Sequence, residues 1–292
     1  MSTLQSRGRR AVVVAAVAAT LASTIAAAPA DRPVNEAGVS LAGPAAKPFR
    51  LTGQRHLSGG TYETTWTDGR TTVEAATGAR AKVRLTQESG RLRVDVTPQA
   101  EQEQASALAA DLEPGDRIGE PVCAEVSAED GHVHSRGCVQ RKFDADTPTG
   151  RYVVDETQQS SSAEQATYFA YNLRSTETLL SYGDGAVIHQ WVPGKTESIG
   201  DCMTITMGFE GNSGFNFSWS KEICGEKFGP IPGSPDEHSF GYHWEGYSDS
   251  GQTVEVVGAT HVYVPTRTAP SRTLTLNLEW DWAWCPGFGC DW

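Results

Sequence analysis

The sequence predicts a mainly β protein, either an antiparallel β-sandwich or an elongated β-sheet fold stapled by disulfides. Short segments that alternate apolar and polar residues recur along most of the chain, separated by Gly- and Ser-rich turns. Six cysteines lie at short spacings within three of these segments. Helical periodicity is confined to residues 97–113, so a small N-terminal β-meander with one helix completes the predicted fold.

The N-terminus has the features of an export signal. Three arginines within residues 7–10 precede the uncharged apolar run 11–22, and residues 28–30, Ala-Pro-Ala, fit a small-x-small cleavage site. The apolar run is too short to span a bilayer. We therefore expect residues 1–30 to be a signal peptide that is cleaved near Ala30, and the protein to be secreted.

The charge of the chain limits its partners. Removal of the three signal-peptide arginines moves the formal net charge from -12 to -15. A chain this acidic repels nucleic acid and anionic lipid over long range, so no nucleic acid partner is expected. No other stretch approaches the ~18 uninterrupted apolar residues of a membrane helix, so no transmembrane span is expected either. The sequence does not indicate an oligomeric state.

The chain beyond the signal peptide divides into three parts. Residues 31–50 are rich in Ala, Pro and Gly, which predicts a flexible leader or linker. Residues 51–115 hold four strand-like segments and then the helix, which Thr97 and Pro98 are expected to begin, and they form the small β-meander unit. Residues 116–292 form a disulfide-containing β domain, in which the polar, serine-rich segment 158–164 is expected to be an exposed loop.

The segment DCMTITMGFEGNSGFNFSWSKEIC, residues 201–224, predicts a β-hairpin. A turn centred on Ser213 places Cys202 directly opposite Cys224. In the same register Met207 meets Trp219 on one face, and threonines and serines occupy the other face. One register thus satisfies the turn, the cysteines and the apolar pairs, and it predicts a Cys202–Cys224 disulfide.

The other four cysteines predict two further short-range disulfides. An Asp-Gly turn lies midway between Cys123 and Cys138, which would therefore be opposed on a second hairpin. A Pro-Gly turn separates Cys285 from Cys290 near the C-terminus. Metal ligation is the alternative, but the chain has no CxxC motif and no matching histidine spacing. Structural disulfides are therefore the prediction, and no metal site is predicted.

Tryptophans dominate the last predicted strand, residues 272–284. Trp280, Trp282 and Trp284 alternate along it and so share one face, and Trp292 follows in the terminal segment. Two interpretations remain open. The rings could extend the leucine row that precedes them into the core, or they could stack on sugar rings through their apolar faces. The second interpretation makes all four tryptophans candidate ligand-binding residues.

The sequence contains no GxSxG, HExxH, Walker-type or GxGxxG motif, so no catalytic residue and no cofactor are predicted. The leading expectation is a non-catalytic extracellular binding or structural module whose partner is a glycan or a protein. One alternative is a carbohydrate-active hydrolase using Glu279 and Asp281, which lie roughly 6.5–7 Å apart along a strand. The other is a pore-forming or membrane-active secreted protein, because hairpin 202–224 alternates like a membrane-inserting hairpin.

Overall fold

The computed structural model describes residues 40–41, 49–56, 61–77, 81–98, 112–183, 185–248, 251–265 and 271–285. These residues belong to one unit, Val34–Trp292. Within these ranges the chain forms eighteen strands and one short 3₁₀ turn, Glu129–Gly131. The expected mainly β, antiparallel fold is therefore confirmed.

The strands follow one another along the chain with few long connections. The first nine are β1 Ser40–Leu41, β2 Arg50–His56, β3 Tyr62–Thr67, β4 Thr72–Thr77, β5 Ala81–Glu88, β6 Arg91–Pro98, β7 Arg117–Ala128, β8 Val133–Thr147 and β9 Gly150–Ala163. The second nine are β10 Phe169–Tyr182, β11 Val187–Val192, β12 Glu197–Ser198, β13 Cys202–Glu210, β14 Asn216–Cys224, β15 Lys227–Pro230, β16 Ser239–Glu245, β17 Thr253–Val264 and β18 Arg272–Trp284.

Two eight-stranded sheets and one separate hairpin make up the structure. The first sheet has the order β1-β5-β6-β18-β10-β16-β15-β12, and the second has the order β11-β17-β9-β8-β7-β4-β3-β2. Neighbouring strands are antiparallel, except that β1 runs parallel to β5. Strands β13 and β14 form a two-stranded sheet of their own.

A cluster of buried apolar side chains lies between the two large sheets. Leu274, Leu276 and Leu278 of β18 point into it, and each is at most 2% exposed. Leu276 packs directly over Gly137 of β8, where an added Cβ would lie 2.4 Å from a leucine methyl carbon. A larger residue at position 137 would force the Leu276 side chain to shift, so glycine is favoured at this point between the sheets.

The prediction that residues 158–164 form an exposed loop is wrong. Strand β9 continues to Ala163, and both Gln159 and Ser161 are fully buried between the sheets. The Gln159 side-chain oxygen accepts a hydrogen bond of 2.5 Å from the Thr178 hydroxyl of the facing sheet. Polar side chains can be buried here because hydrogen-bond partners lie across the sheet interface. The sequence of the segment itself does not reveal those partners.

A buried ionic triad also crosses the interface. The Arg141 guanidinium donates two hydrogen bonds, of 2.9 and 2.7 Å, to the Asp155 carboxylate, and Arg272 donates a third of 2.8 Å. All three side chains are at most 3% exposed. Burial alone would raise the pKa of Asp155, but the two arginines outweigh it and the pKa lies below the ordinary value. Asp155 is therefore a carboxylate that remains charged within the core.

The expected N-terminal unit, residues 51–115, contributes strands to both large sheets: β2–β4 join the second sheet and β5–β6 join the first. The expected helix start is wrong, because Thr97 and Pro98 end β6 and pair with β5. Proline is tolerated there because β18 pairs with β6 only as far as Val96. The remainder of the expected helix, residues 99–111, lies outside the described residues.

Part of the expected leader, residues 31–50, belongs to the fold. Ser40–Leu41 pairs with β5. Phe49 is fully buried, and its ring stacks on Trp66 with a centroid distance of 6.2 Å. The Ala, Pro and Gly content of the tract concealed this single anchoring aromatic residue. The expected signal peptide, residues 1–30, lies outside the described residues.

Two of the three predicted disulfides are present. Cys123 is bonded to Cys138 with a Cα–Cα distance of 4.1 Å, and Cys202 is bonded to Cys224 with a Cα–Cα distance of 3.9 Å. Cys285 is buried, and its predicted partner Cys290 lies outside the described residues. Among the described residues, no helix has the length and apolar character needed to cross a membrane.

Candidate functional site

The candidate site is the stapled hairpin, which we define as β13, β14 and the loop between them, residues 202–224. The two strands pair with each other along all nine residues of each, in the register that the sequence predicted. In the described part of the chain, neither strand pairs with a third strand. The hairpin is therefore held to the rest of the protein by side chains and by its tip, not by a β-ladder.

The stapled hairpin covers the outer face of the second sheet, with β14 against β17 and β13 against β11. The side chains it touches include Glu156, Glu255 and His261. The neighbouring Thr260 points the other way and hydrogen-bonds Tyr182 of the first sheet, at 2.6 Å. The second sheet is thus sandwiched between the first sheet and the hairpin.

The two faces of the hairpin differ sharply in polarity. The row that faces the second sheet is Met203, Ile205, Met207, Phe209, Phe217, Trp219, Lys221 and Ile223. The row on the opposite face is Cys202, Thr204, Thr206, Gly208, Glu210, Asn216, Ser218, Ser220, Glu222 and Cys224, and every member is exposed. The disulfide therefore lies on the water-facing side, at the open end of the hairpin.

Two polar contacts anchor the middle of the hairpin. The Trp219 indole donates a 2.5 Å hydrogen bond to Glu156 Oε1, and the other oxygen of Glu156 lies 2.5 Å from Lys142 Nζ. Lys221 forms an ion pair with Glu255 of β17. These groups are partly exposed, so each contact contributes only modestly to the free energy of docking.

The tip of the hairpin is anchored by one buried carboxylate, Asp144 of β8. It accepts hydrogen bonds from the backbone amides of Asn212 (2.7 Å) and Ser213 (3.2 Å) and from the Ser213 hydroxyl (2.5 Å). The neighbouring Gly211 is required by this approach, because a Cβ there would lie 2.3 Å from a carboxylate oxygen. The Asp144 side chain is fully buried.

Asp144 also contacts His261 of β17, whose Nε2 lies 2.8 Å from Asp144 Oδ2. Burial alone would raise the pKa of Asp144, but the hydrogen bonds from Ser213, Asn212 and His261 outweigh it, and the pKa lies below the ordinary value. Burial lowers the pKa of His261, an effect that Asp144 opposes and the nearby His189 increases. The pair at neutral pH is therefore a charged carboxylate and a neutral imidazole that donates from Nε2.

Aromatic rings surround His261. Tyr152 stacks against it with a centroid distance of 5.1 Å, and Phe209 of the stapled hairpin lies 5.7 Å away. His189 lies 6.5 Å away and also contacts Tyr152. The second ring nitrogen, Nδ1, is buried and has no hydrogen-bond partner among the described residues. The imidazole is thus polar on the Asp144 side and enclosed by apolar groups elsewhere.

The candidate tryptophans of β18 have different environments. Trp280 is 2% exposed and continues the leucine row into the core, whereas Trp282 and Trp284 are 55% and 62% exposed. Trp280 therefore has the environment of the core interpretation, whereas Trp282 and Trp284 are exposed because that face is no longer covered at the end of β18. Trp292 lies outside the described residues.

The exposed end of β18 is aromatic and polar together. Phe169 meets Trp282 edge-on at 5.6 Å. A shallow groove of about 330 Å³ beside Trp282 is lined by Tyr247, Arg174 and Asp281 among others. The Arg174 guanidinium lies 4.7 Å above the Tyr247 ring. Exposed aromatic rings can stack on the apolar face of a sugar, while neighbouring hydrogen-bonding side chains contact its hydroxyl groups.

The two carboxylates considered for hydrolysis are each held by a separate arginine. Arg91 of β6 donates to Glu279 at 2.8 Å, and Arg174 of β10 donates to Asp281 at 2.5 Å. The two arginines lie on opposite sides of β18, so the carboxylates lean away from each other. This arrangement does not place them on either side of one bond, as a glycosidase pair would be.

Sequence reasoning identified the stapled hairpin but missed the residues that anchor it. Asp144 lies within the long strand β8. His261 was hidden in the largely apolar strand β17. The available signal was a carboxylate and a histidine at positions where long β-strands otherwise carry small or apolar residues, since a buried ionisable group needs a partner.

The chain matches no protein-family model and no curated protein. Among solved structures, it is similar to a chain described as "Pore forming protein", with 8% sequence identity and a TM-score of 0.32. That match covers 70% of this chain and 89% of the other. A TM-score of this size supports no inference about fold or function.

Proposed function

We propose that the protein is secreted and membrane-active, and that the stapled hairpin is the segment that enters the bilayer. The observation that carries this proposal is the isolation of the hairpin. It is fully paired within itself and shares no β-ladder with either large sheet in the described structure, and it hides an apolar face while presenting hydroxyl groups to water. The two disulfides are compatible with an exported protein.

The hairpin has the length and pattern needed to cross a bilayer. Each strand has nine residues, and a tilted transmembrane strand needs about 9–11. Strands that separate lipid from water alternate apolar and polar residues, as β13 and β14 do. After insertion the face now packed on the second sheet would contact lipid, and the Thr and Ser face would remain in water.

The docked form explains how such a segment could remain dissolved. Ile205, Met207, Phe217 and Ile223 are each less than 10% exposed because the second sheet covers them. Detachment breaks no β-ladder, and the Cys202–Cys224 disulfide need not open because it lies within the hairpin. The cost of release is therefore the loss of apolar packing and a few polar contacts, which lipid can replace on the apolar side.

Two features of the hairpin set conditions on insertion. Lys221 lies on the row that would face lipid, three residues from Cys224 at the open end, so its long side chain would have to extend toward the headgroup region. The edges of a lone hairpin would leave unpaired backbone groups in lipid, so hairpins from several copies would have to pair edge to edge. The formal net charge, -12 for the full chain and -15 without residues 1–30, favours neutral over anionic lipid surfaces.

A covalent tether between the hairpin and the second sheet tests the proposal. A carbodiimide can convert the Lys221–Glu255 ion pair into an amide bond, which peptide mapping would verify. Dye release from phosphatidylcholine vesicles is then measured at neutral and at mildly acidic pH. We expect untreated protein to release dye and tethered protein to lose this activity.

The matched control is Glu255→Gln, which cannot form the tether but receives the same carbodiimide treatment at all other carboxylates. Treated Glu255→Gln protein should still release dye. Equal release by tethered and untethered protein would exclude hairpin detachment as the active step. An untreated protein that never releases dye under either condition would remove the proposal itself.

A second candidate function is glycan binding at the exposed end of β18. The observation that favours it is the 55% and 62% exposure of Trp282 and Trp284, beside a groove that carries Arg174 and Asp281. Exposed, rigid rings of this kind stack on sugars with little dependence on ionic strength. The two candidates are compatible, because the tryptophans could bind a cell-surface glycan while the hairpin acts on the membrane.

A further inference from the structure

We propose that Asp144 and His261 form an acid-sensitive latch that holds the tip of the stapled hairpin on the second sheet and opens when His261 is protonated. This inference rests on the proposed membrane function, of which it specifies the trigger. It also makes a claim about the dissolved protein that can be tested without any membrane.

The geometry concentrates the polar anchoring of the tip on one carboxylate. Asp144 receives three hydrogen bonds from Asn212 and Ser213 and one from His261, and its side chain is fully buried. A buried carboxylate needs its full set of donors, so the tip and the histidine depend on each other. Disturbing either contact weakens the other.

Protonation of His261 would add a second ring N–H for which the described structure offers no acceptor. The proton would go to Nδ1, because Nε2 already donates to Asp144. Nδ1 is buried without a hydrogen-bond partner in the described structure. Tyr152 and the hairpin residue Phe209 cover the faces of the ring, so the new N–H would be buried away from water. Detachment of the hairpin opens that surrounding to water.

The other titratable groups near the latch either favour detachment on acidification as well, or lie farther along the hairpin. His189 of β11 lies 6.5 Å from His261, so a charge on it would oppose a charge on His261. The rings of Tyr152 and Tyr263 complete the cluster. Farther along the hairpin, carboxylates make the contacts Glu156–Trp219, Glu156–Lys142 and Glu255–Lys221.

Both members of the latch favour docking at neutral pH. The ordinary pKa of His261 is 6.5 and the docked pKa is lower, so the detached state binds the proton first as the pH falls below 6.5. The ordinary pKa of Asp144 is 3.8 and the docked pKa is again lower, so protonation of Asp144 adds to the loss at still lower pH. Docking is therefore strongest at neutral pH and weakens on acidification, beginning near pH 6.5.

Hydrogen exchange of the intact protein, without lipid, tests the latch. Protection factors for peptides from the stapled hairpin are measured from pH about 8 to about 5, after correction for intrinsic exchange rates. Uptake of one proton limits the change to about tenfold per pH unit. We expect hairpin protection to fall toward this limit below pH 6.5, while peptides from β10 and β18 change little. A flat profile for the wild-type hairpin overturns the latch.

Three variants make the assignment specific. His261→Gln retains an N–H donor for Asp144 but does not titrate, so its hairpin should show little pH dependence. His189→Gln is the matched control and should keep most of the wild-type dependence, because burial lowers the pKa of His261 more than His189 does. Ser213→Ala removes the hydroxyl donor of the tip and leaves the two backbone donors. It should lower hairpin protection at every pH and remain informative even if His261→Gln folds poorly. If His189→Gln loses the pH dependence instead, the trigger is His189 and the latch as proposed here is wrong.

Vesicle dye release on the same samples separates the latch from the membrane role. Acid-dependent opening without dye release would leave the latch standing and remove the proposed function. Dye release together with a flat exchange profile would remove the latch and leave the proposed function standing. Both results together, with dye release increasing below pH 6.5 in wild type but not in His261→Gln, are what the proposal requires.

Discussion

Met207 and Trp219 lie directly opposite each other on the packed face of the stapled hairpin, whereas the next pair, Thr206 and Ser220, lies on the face exposed to water. This alternation gives the hairpin one side that is stabilised by burial and one that is not. It also yields a direct comparison between neighbouring positions of the same β-sheet.

Replacement of Trp219 by alanine should be far more destabilising than replacement of Thr206. Trp219 packs on the second sheet and hydrogen-bonds Glu156, so we expect Trp219→Ala to lower the free energy of unfolding by about 3 kcal/mol. Thr206→Ala removes an exposed hydroxyl and should change it by less than about 0.5 kcal/mol. Chemical denaturation of both variants measures the difference. Equal losses would show that both faces are covered.

Loss of the Cys202–Cys224 disulfide should destabilise the hairpin without changing its register. The bond closes a loop with a sequence separation of 22 residues, for which the loop-entropy model gives about 3 kcal/mol. We expect the double variant Cys202→Ser/Cys224→Ser to exchange its hairpin amides faster than wild type. The matched variant Cys123→Ser/Cys138→Ser should leave hairpin exchange unchanged, because that bond joins β7 to β8. Faster exchange of the hairpin amides in both variants would argue against a local effect of the Cys202–Cys224 disulfide.

Neutralisation of Asp155 should be severe because it leaves two arginines buried without their counter-ion. Asp155→Asn retains the size of the side chain but removes the charge that pairs with Arg141 and Arg272. We expect a loss of about 3–5 kcal/mol in the free energy of unfolding. The exposed pair Arg91–Glu279 provides the comparison, since Glu279→Gln should cost less than about 1 kcal/mol. Similar melting temperatures for the two variants would contradict the structural role of the triad.

The tryptophans of β18 should separate into a core residue and surface residues. Trp280→Ala should lose about 3–5 kcal/mol of stability, whereas Trp282→Ala should melt close to wild type. If the exposed end binds glycans, Trp282→Ala should also lose binding to insoluble polysaccharide in a pull-down. A stable Trp282→Ala protein that binds as wild type does, or a wild type that binds no glycan, would remove this second function.

Local pattern was sufficient to predict much of the fold. Alternation defined both ends of β18, and the stapled hairpin was predicted to the residue because its turn, its cysteines and its apolar pairs all required one register. Neither result needed knowledge of distant parts of the chain. The antiparallel fold class followed from the same local signals.

Contacts between distant segments account for what the sequence did not reveal. Ser161 was expected in a loop because its partners, including Ser135 and Thr176, lie on other strands. Asp144 and His261 are 117 residues apart in the sequence, and their role as an anchor is seen only when the hairpin is docked on them. Trp280 and Trp282 could not be distinguished because the point where the second sheet stops covering β18 is set by tertiary packing.

Quenching of Trp219 by lipid is the most direct test of hairpin insertion. Trp219 lies on the face that would contact acyl chains, whereas Trp191 lies on β11 in the body of the protein and stacks on Phe240. The protein is mixed with vesicles whose acyl chains carry bromine, and fluorescence is compared for wild type, Trp219→Phe and Trp191→Phe. We predict quenching in wild type and Trp191→Phe, and its loss in Trp219→Phe. Equal quenching in the two variants, or no quenching when vesicles release their dye, would contradict insertion of the stapled hairpin.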